Sequence, residues 1–191
     1  MAGKVNFEAI KVKLMNSAAF EDIAKNEARK FIEQKRLELE SEFLSHPVTI
    51  ELKEGVDAKN NSGTLGGYGN LFSFIGFDKG FDPIAPVLQL IKKIKVSGKI
   101  RSNKNSVTFE VSIPTQEEFE KASKLPWESG RSWLYDIEKT ISGIGHYLYQ
   151  KSKVSRSGNG VQTQKSVNNL VFRPVKYFSV MLENFNKKIG K

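Results

Sequence analysis

The sequence predicts an α+β fold: a mainly antiparallel β-sheet packed by a long N-terminal helix, with additional short helices and a C-terminal helix. Three observations carry this. Apolar residues recur at three- and four-residue spacing from Ala18 to Leu44. Strict alternation brackets a turn at Ser102–Asn105. Helix-start signals stand at Thr115, Ser132 and Pro174. At 191 residues the chain reads as a single structural domain, 1–191, long enough to bury a sizeable core.

The first helix, about 18–44, places Phe20, Ile23, Ala24, Ala28, Phe31, Ile32, Leu39 and Phe43 at helical spacing, with Asn16 or Ser17 as its cap. His46-Pro47 ends it, because the residue before proline is pushed out of the α region. Val48, Ile50 and Leu52 alternate with Thr49, Glu51 and Lys53, which predicts a half-buried strand. The apolar run Asn70 to Phe77 predicts a second strand. Val87 to Ile94 reads as a helical turn or two. Val96, Gly98 and Ile100, then Val107, Phe109, Val111 and Ile113, form a β-hairpin.

Thr115 and Glu118 make a capping box, so a short helix starts there and Pro126 stops it. Ser132 caps another helix, with Trp133, Leu134, Ile137, Ile141, Ile144 and Leu148 on one side. Gly143 and Gly145 weaken its far end. Residues of about 152–169 are a polar arm or loop, too poor in apolar side chains to bury a core of their own. Pro174 opens the last helix, with Val175, Phe178, Leu182, Phe185 and Ile189 on one stripe.

Composition narrows the chemistry. Without cysteine there are no disulfides, thiolate metal sites or cysteine nucleophiles. The N-terminus lacks the apolar core and cleavage pattern of a secretory signal, and no window approaches a membrane span, so a soluble protein made inside a cell is expected. The net charge of +9 is uneven. From Lys151 to Lys191 nine basic residues face Glu183 alone, and Lys92 to Lys104 holds six with no acid. Such runs attract polyanions or acidic protein faces; they also simply solvate a surface.

The glycine-rich stretch Asn61 to Gly80 fails as a phosphate loop. Gly69 is followed by Asn70-Leu71 where a P-loop needs lysine and a hydroxyl residue, and the next residues read as strand where a dinucleotide fingerprint needs a helix. Arg156 to Gly160 fails likewise. The two histidines, His46 and His146, are too isolated for a metal site and read as structural. Asp78, Asp82, Glu110 and Lys99 could be assembled into a metal-dependent nuclease, the third reading, but no spacing singles them out. No catalytic residue, metal ligand or cofactor site is assigned, and no enzyme is expected. A basic, sequence-nonspecific nucleic-acid binder is the alternative, although no aromatic platform or base-reading motif accompanies the charge.

The long charged helix ends at His46-Pro47-Val48-Thr49. The block Asn61 to Phe77, opening Asn61-Ser62-Gly63-Thr64-Leu65-Gly66-Gly67-Tyr68-Gly69-Asn70, follows, then Leu125 to Trp133, then Ser155 to Gln162. This order of features resembles the neck and tail-completion proteins of tailed bacteriophages. Ser62-Gly63-Thr64-Leu65 is similar to the serine/threonine-glycine-leucine element that follows the helix in that family. The longer glycine run and the extra C-terminal third depart from its smaller members. The resemblance implies a virion structural protein that joins head and tail. It implies a homo-oligomeric ring, six-fold or a multiple, assembled in the host cytoplasm against other neck, connector or tail proteins, around a channel that DNA passes. Candidate subunit-interface residues are Gly63, Leu65, Gly66, Gly67, Tyr68, Arg156, Gly158 and Gly160. Lys151, Lys153, Arg156 and Lys165 are the candidates for contact with DNA or an acidic partner. The glycine stretch is read as a loop for close packing, within one chain or between subunits.

Overall fold

The computed structural model describes residues 17–66, 69–103, 106–126, 130–139 and 172–190. Helix α1 spans Ala18–Ser45, and the Ser17 hydroxyl accepts the Phe20 N–H at 3.3 Å as its cap. His46 is extended and breaks the helix, as the proline after it requires. Helix α2 is Pro47–Glu54, followed by a 3₁₀ turn at Gly55–Asp57. Then come α3 (Leu71–Ile75), α4 (Ile84–Ile91), β1 (Lys95–Asn103), β2 (Ser106–Ser112), α5 (Gln116–Ala122), α6 (Trp133–Lys139) and α7 (Phe178–Lys188). The fold is α+β, with a long N-terminal helix and an antiparallel sheet that, among the described residues, is the β1–β2 hairpin.

Two expected strands are helices. Residues 48–52 lie in α2, where Val48, Thr49, Glu51 and Leu52 are buried and Ile50 is exposed. That is the i, i+3, i+4 face of a helix, and Pro47 sits at the first-turn position that proline favours. Residues 71–75 form α3, because Asn70 accepts the Ser73 N–H at 2.8 Å as N-cap and Gly76 closes the helix in the left-handed region. Leu71, Phe72, Phe74 and Ile75 are all buried, so one apolar run served either element.

The hairpin matches its pattern. Val96 pairs with Val111, Ile100 with Phe109 and Asn103 with Ser106, around a bulge between Ser97 and Ile100. The capping box of α5 is complete, with the Thr115 N–H on Glu118 and the Glu118 N–H on Thr115. The C-terminal helix begins at Phe178, four residues after Pro174. Residues 172–177 lie outside helix and strand, and there the Arg173 N–H is given to the Thr64 carbonyl at 2.8 Å and the Val175 N–H to the Ile137 carbonyl at 3.3 Å. The continuation of α6 towards Leu148 and the polar arm lie outside the described residues.

The core joins these elements through aromatic rings. Phe178 meets Phe119 edge-on at 4.8 Å and Phe43 at 5.7 Å, while Phe77 meets Trp133 at 6.3 Å. Helix α1 contributes Ala28, Ile32, Leu39 and Phe43 to this interior. On its outer side Arg36 pairs with Glu33 and Glu40, and Lys92 and Lys188 reach Glu40 and Glu38 at 3.6 Å. Each such pair contributes only a few tenths of a kcal/mol at a surface, so burial, not charge, fixes α1.

Candidate functional site

The glycine-rich loop is organised by one carboxylate. Glu51, on the buried face of α2, is wholly removed from solvent. Its Oε1 accepts the Leu71 N–H at 2.5 Å and the Asn60 side-chain amide at 2.9 Å; its Oε2 accepts the Ser62 N–H at 3.0 Å. Three donors therefore compensate a charge that water has left, and no lysine or arginine takes part among the described residues. The loop begins near Asn60, beyond the 3₁₀ turn that follows α2, and ends at Leu71, the first residue of α3. Glu51 holds both ends.

The rest of the loop is built on this anchor. Asn60 Oδ1 accepts the Leu65 N–H at 3.3 Å, and the Ser62 and Thr64 hydroxyls are 2.8 Å apart. The Asn70 amide donates to the Val56 carbonyl at 2.7 Å. From the outside, Arg173 clips the Thr64 carbonyl. The Gly66 N–H reaches the Gly63 carbonyl at 3.3 Å, closing a turn.

Glycine is needed here for conformation. Gly63 and Gly66 have φ of +70° and +62°, where a side chain costs roughly 1–2 kcal/mol. A Cβ added at either would meet nothing within 4 Å. Close packing within the chain is thus not what these two glycines provide, which corrects that half of the expectation. Leu65 is a second correction. It is 3% exposed and packed in the chain's own core, so its side chain is not a surface for a neighbour. Gly63 and Gly66 are exposed. Gly67, Tyr68, Lys151, Lys153, Arg156, Gly158, Gly160 and Lys165 lie outside the described residues.

A second buried polar cluster lies where the start of α2 meets the residues before α7. The Tyr177 and Thr49 hydroxyls are 2.5 Å apart in the interior, and burial pushes the Tyr177 phenol far above its usual range. The His46 ring lies 4.7 Å from the Tyr177 ring, and its Nδ1 accepts the Val48 N–H at 3.3 Å, capping α2. Partial burial holds this imidazole below the usual histidine range, against the Lys176 carbonyl, Glu42 and Glu138, which favour its charged form. The Glu138 carboxylate on α6 accepts the N–H groups of Tyr177 at 2.9 Å and Ser179 at 2.8 Å, and so caps α7.

These groups are committed to structure. Asp82, one member of the conceivable nuclease set, accepts the Ile84 and Ala85 N–H groups at the start of α4. Asp78 is exposed beyond α3, Glu110 pairs across the hairpin with Ser97, and the Lys99 side chain and His146 lie outside what is described. Among the described residues no three of His, Cys, Asp and Glu come together as a metal site, and no helix is long and apolar enough to cross a membrane.

Sequence reasoning missed Glu51 and Glu138. Each sits in a charged, ordinary-looking context, and its partners are distant in sequence: 20 positions to Leu71, and 39 to Tyr177. The signal for Glu51 was the Pro47 helix start, which turns the same residues so that Glu51 faces inward. Compared with known proteins, the chain matches no family model, no curated protein and no solved structure.

Proposed function

We propose that this chain is a non-catalytic structural subunit that assembles with copies of itself and with neighbours, in the neck or tail-completion complex joining head and tail of a tailed bacteriophage. One observation supports assembly above the rest: α1 outruns its core. From Ala18 to Glu27 no residue is buried, and the first buried position is Ala28. At about 1.5 Å per residue, some 15 Å of helix carries no fully buried side chain. That length carries Phe20, Ile23 and Ala24 at helical spacing, with Ile23 63% exposed. A helix end gains little stability from propensity alone, so an apolar stripe on it is a surface for another chain.

The phage-neck assignment within that reading comes from the order of sequence features and the Ser62-Gly63-Thr64-Leu65 element. A ring of six or a multiple follows from the same analogy. The test is a double substitution, Phe20→Asp with Ile23→Asp. Neither side chain is buried, so the variant keeps its fold and melting temperature while it fails to enter particles and leaves heads and tails unjoined. Normal incorporation of the variant would remove this role from the helix.

A further inference from the structure

An open groove of about 780 Å³ lies between α1 and β1, away from the glycine-rich loop. Ile32 and Ile94 beneath it belong to the chain's own core, at 1% and 2% exposed, and the half-buried Val96 is the apolar side chain open to the groove. Its rim is cationic, with Arg29 and Lys30 on the helix and Lys95 on the strand, all exposed. The one acid in the lining, Glu33, is already held by Arg36 at 2.5 Å. Lys30 is shared with Glu27 at 2.8 Å, whereas Arg29 and Lys95 have no ion-pair partner among the described residues. The strand side belongs to the run Lys92 to Lys104, six bases without an acid.

We infer that this groove docks a short acidic amphipathic segment of another protein, an apolar side chain on Val96 and its carboxylates at Arg29, Lys30 and Lys95. Charge complementarity selects the occupant. The chain's own segments are unsuited: residues 1–16 carry Lys4, Lys11 and Lys13 against Glu8, and residues 140–171 carry Lys151, Lys153, Arg156 and Lys165 with no acid. A second copy brings a net charge of +9 to a cationic rim. Nucleic acid matches the rim but leaves Val96 without an apolar partner. The inference is independent of the phage-neck reading.

The test uses the full-length chain and fluorescence anisotropy. The main probe is a labelled peptide of about ten residues alternating leucine and glutamate, about as long in extended form as the nine-residue β1. Its controls replace glutamate with glutamine or lysine, and an oligothymidylate of similar length tests the polyanion alternative. The acidic peptide is expected to bind at least about tenfold more tightly than any control. Two variants locate the site. Gly98→Leu fills the groove at a lining position where an added Cβ meets nothing within 4 Å. Arg29→Glu with Lys95→Glu reverses the unpaired rim charges. Each variant, with an unchanged melting temperature, is expected to weaken the acidic peptide by about tenfold or more. Equal binding of the glutamine or lysine peptide, tighter binding of oligothymidylate, or undiminished binding by both variants would overturn the proposal.

Discussion

The side chain of Glu138 receives the backbone N–H of Tyr177 at 2.9 Å, across 39 positions of sequence, and that of Ser179 at 2.8 Å. Helix α7 is thus capped by a residue of α6. Its own N-cap residue, Tyr177, makes no side-chain cap bond.

We therefore predict that Glu138→Ala destabilises the fold by about 1–2 kcal/mol, the usual value of a lost cap. Glu138→Gln keeps an oxygen acceptor and loses less. Urea unfolding of the three proteins decides this, and an alanine variant indistinguishable from the parent would remove the capping role.

Glu51 carries a larger share. Glu51→Ala strands the Leu71 and Ser62 N–H groups, whereas the Asn60 amide keeps the Ser62 and Thr64 hydroxyls at 3.4 Å. Each stranded donor costs about 1–3 kcal/mol when buried, so a loss of at least about 2 kcal/mol is expected. Glu51→Gln places an amide among N–H groups and falls between. A loss under about 1 kcal/mol for the alanine variant contradicts the anchoring role.

Gly66 separates two reasons for a glycine. Gly66→Ala is expected to cost about 1–2 kcal/mol through its positive φ, and Gly66→Asn less, because asparagine tolerates that region. If an unseen neighbour pressed on this position, the larger asparagine would be worse than alanine. Comparing their melting temperatures in the free chain and their incorporation into particles tells these apart.

His46 gives the fold an acid-sensitive corner. Its folded pKa is depressed, so the unfolded chain takes up the proton first. Its contribution is full above the unfolded value of about 6.5 and is lost as pH falls through the folded pKa. Protonation also removes the Nδ1 acceptor that caps α2. Stability to urea is expected to fall between neutral and mildly acidic pH, and His46→Asn, a good cap without a titrating ring, is expected to flatten that dependence. An identical slope in the variant would assign the effect to other groups.

Much of the fold was legible because pattern and environment agreed. Helix α1, the hairpin and the capped α5 each have one buried and one wet face, so periodicity identifies them. Helices α2 and α3 were not legible. Val48, Ile50 and Leu52 alternate by chance of composition, and α3 is five residues of which four are buried, leaving no polar face to mark a period. The start of α7 was displaced because its cap is remote and Pro174 belongs to a non-helical segment clipped to Thr64 and Ile137. Of the site, the glycines and Ser62–Leu65 stood out in sequence, whereas the buried acid that organises them looked like the wet side of a strand.

The assembly proposal is tested most directly by counting this chain in purified virions by quantitative mass spectrometry, with its position fixed by imaging the neck. Six copies or a multiple, arranged as a ring between head and tail, are expected. One or two copies per particle, or absence from the virion, would contradict it.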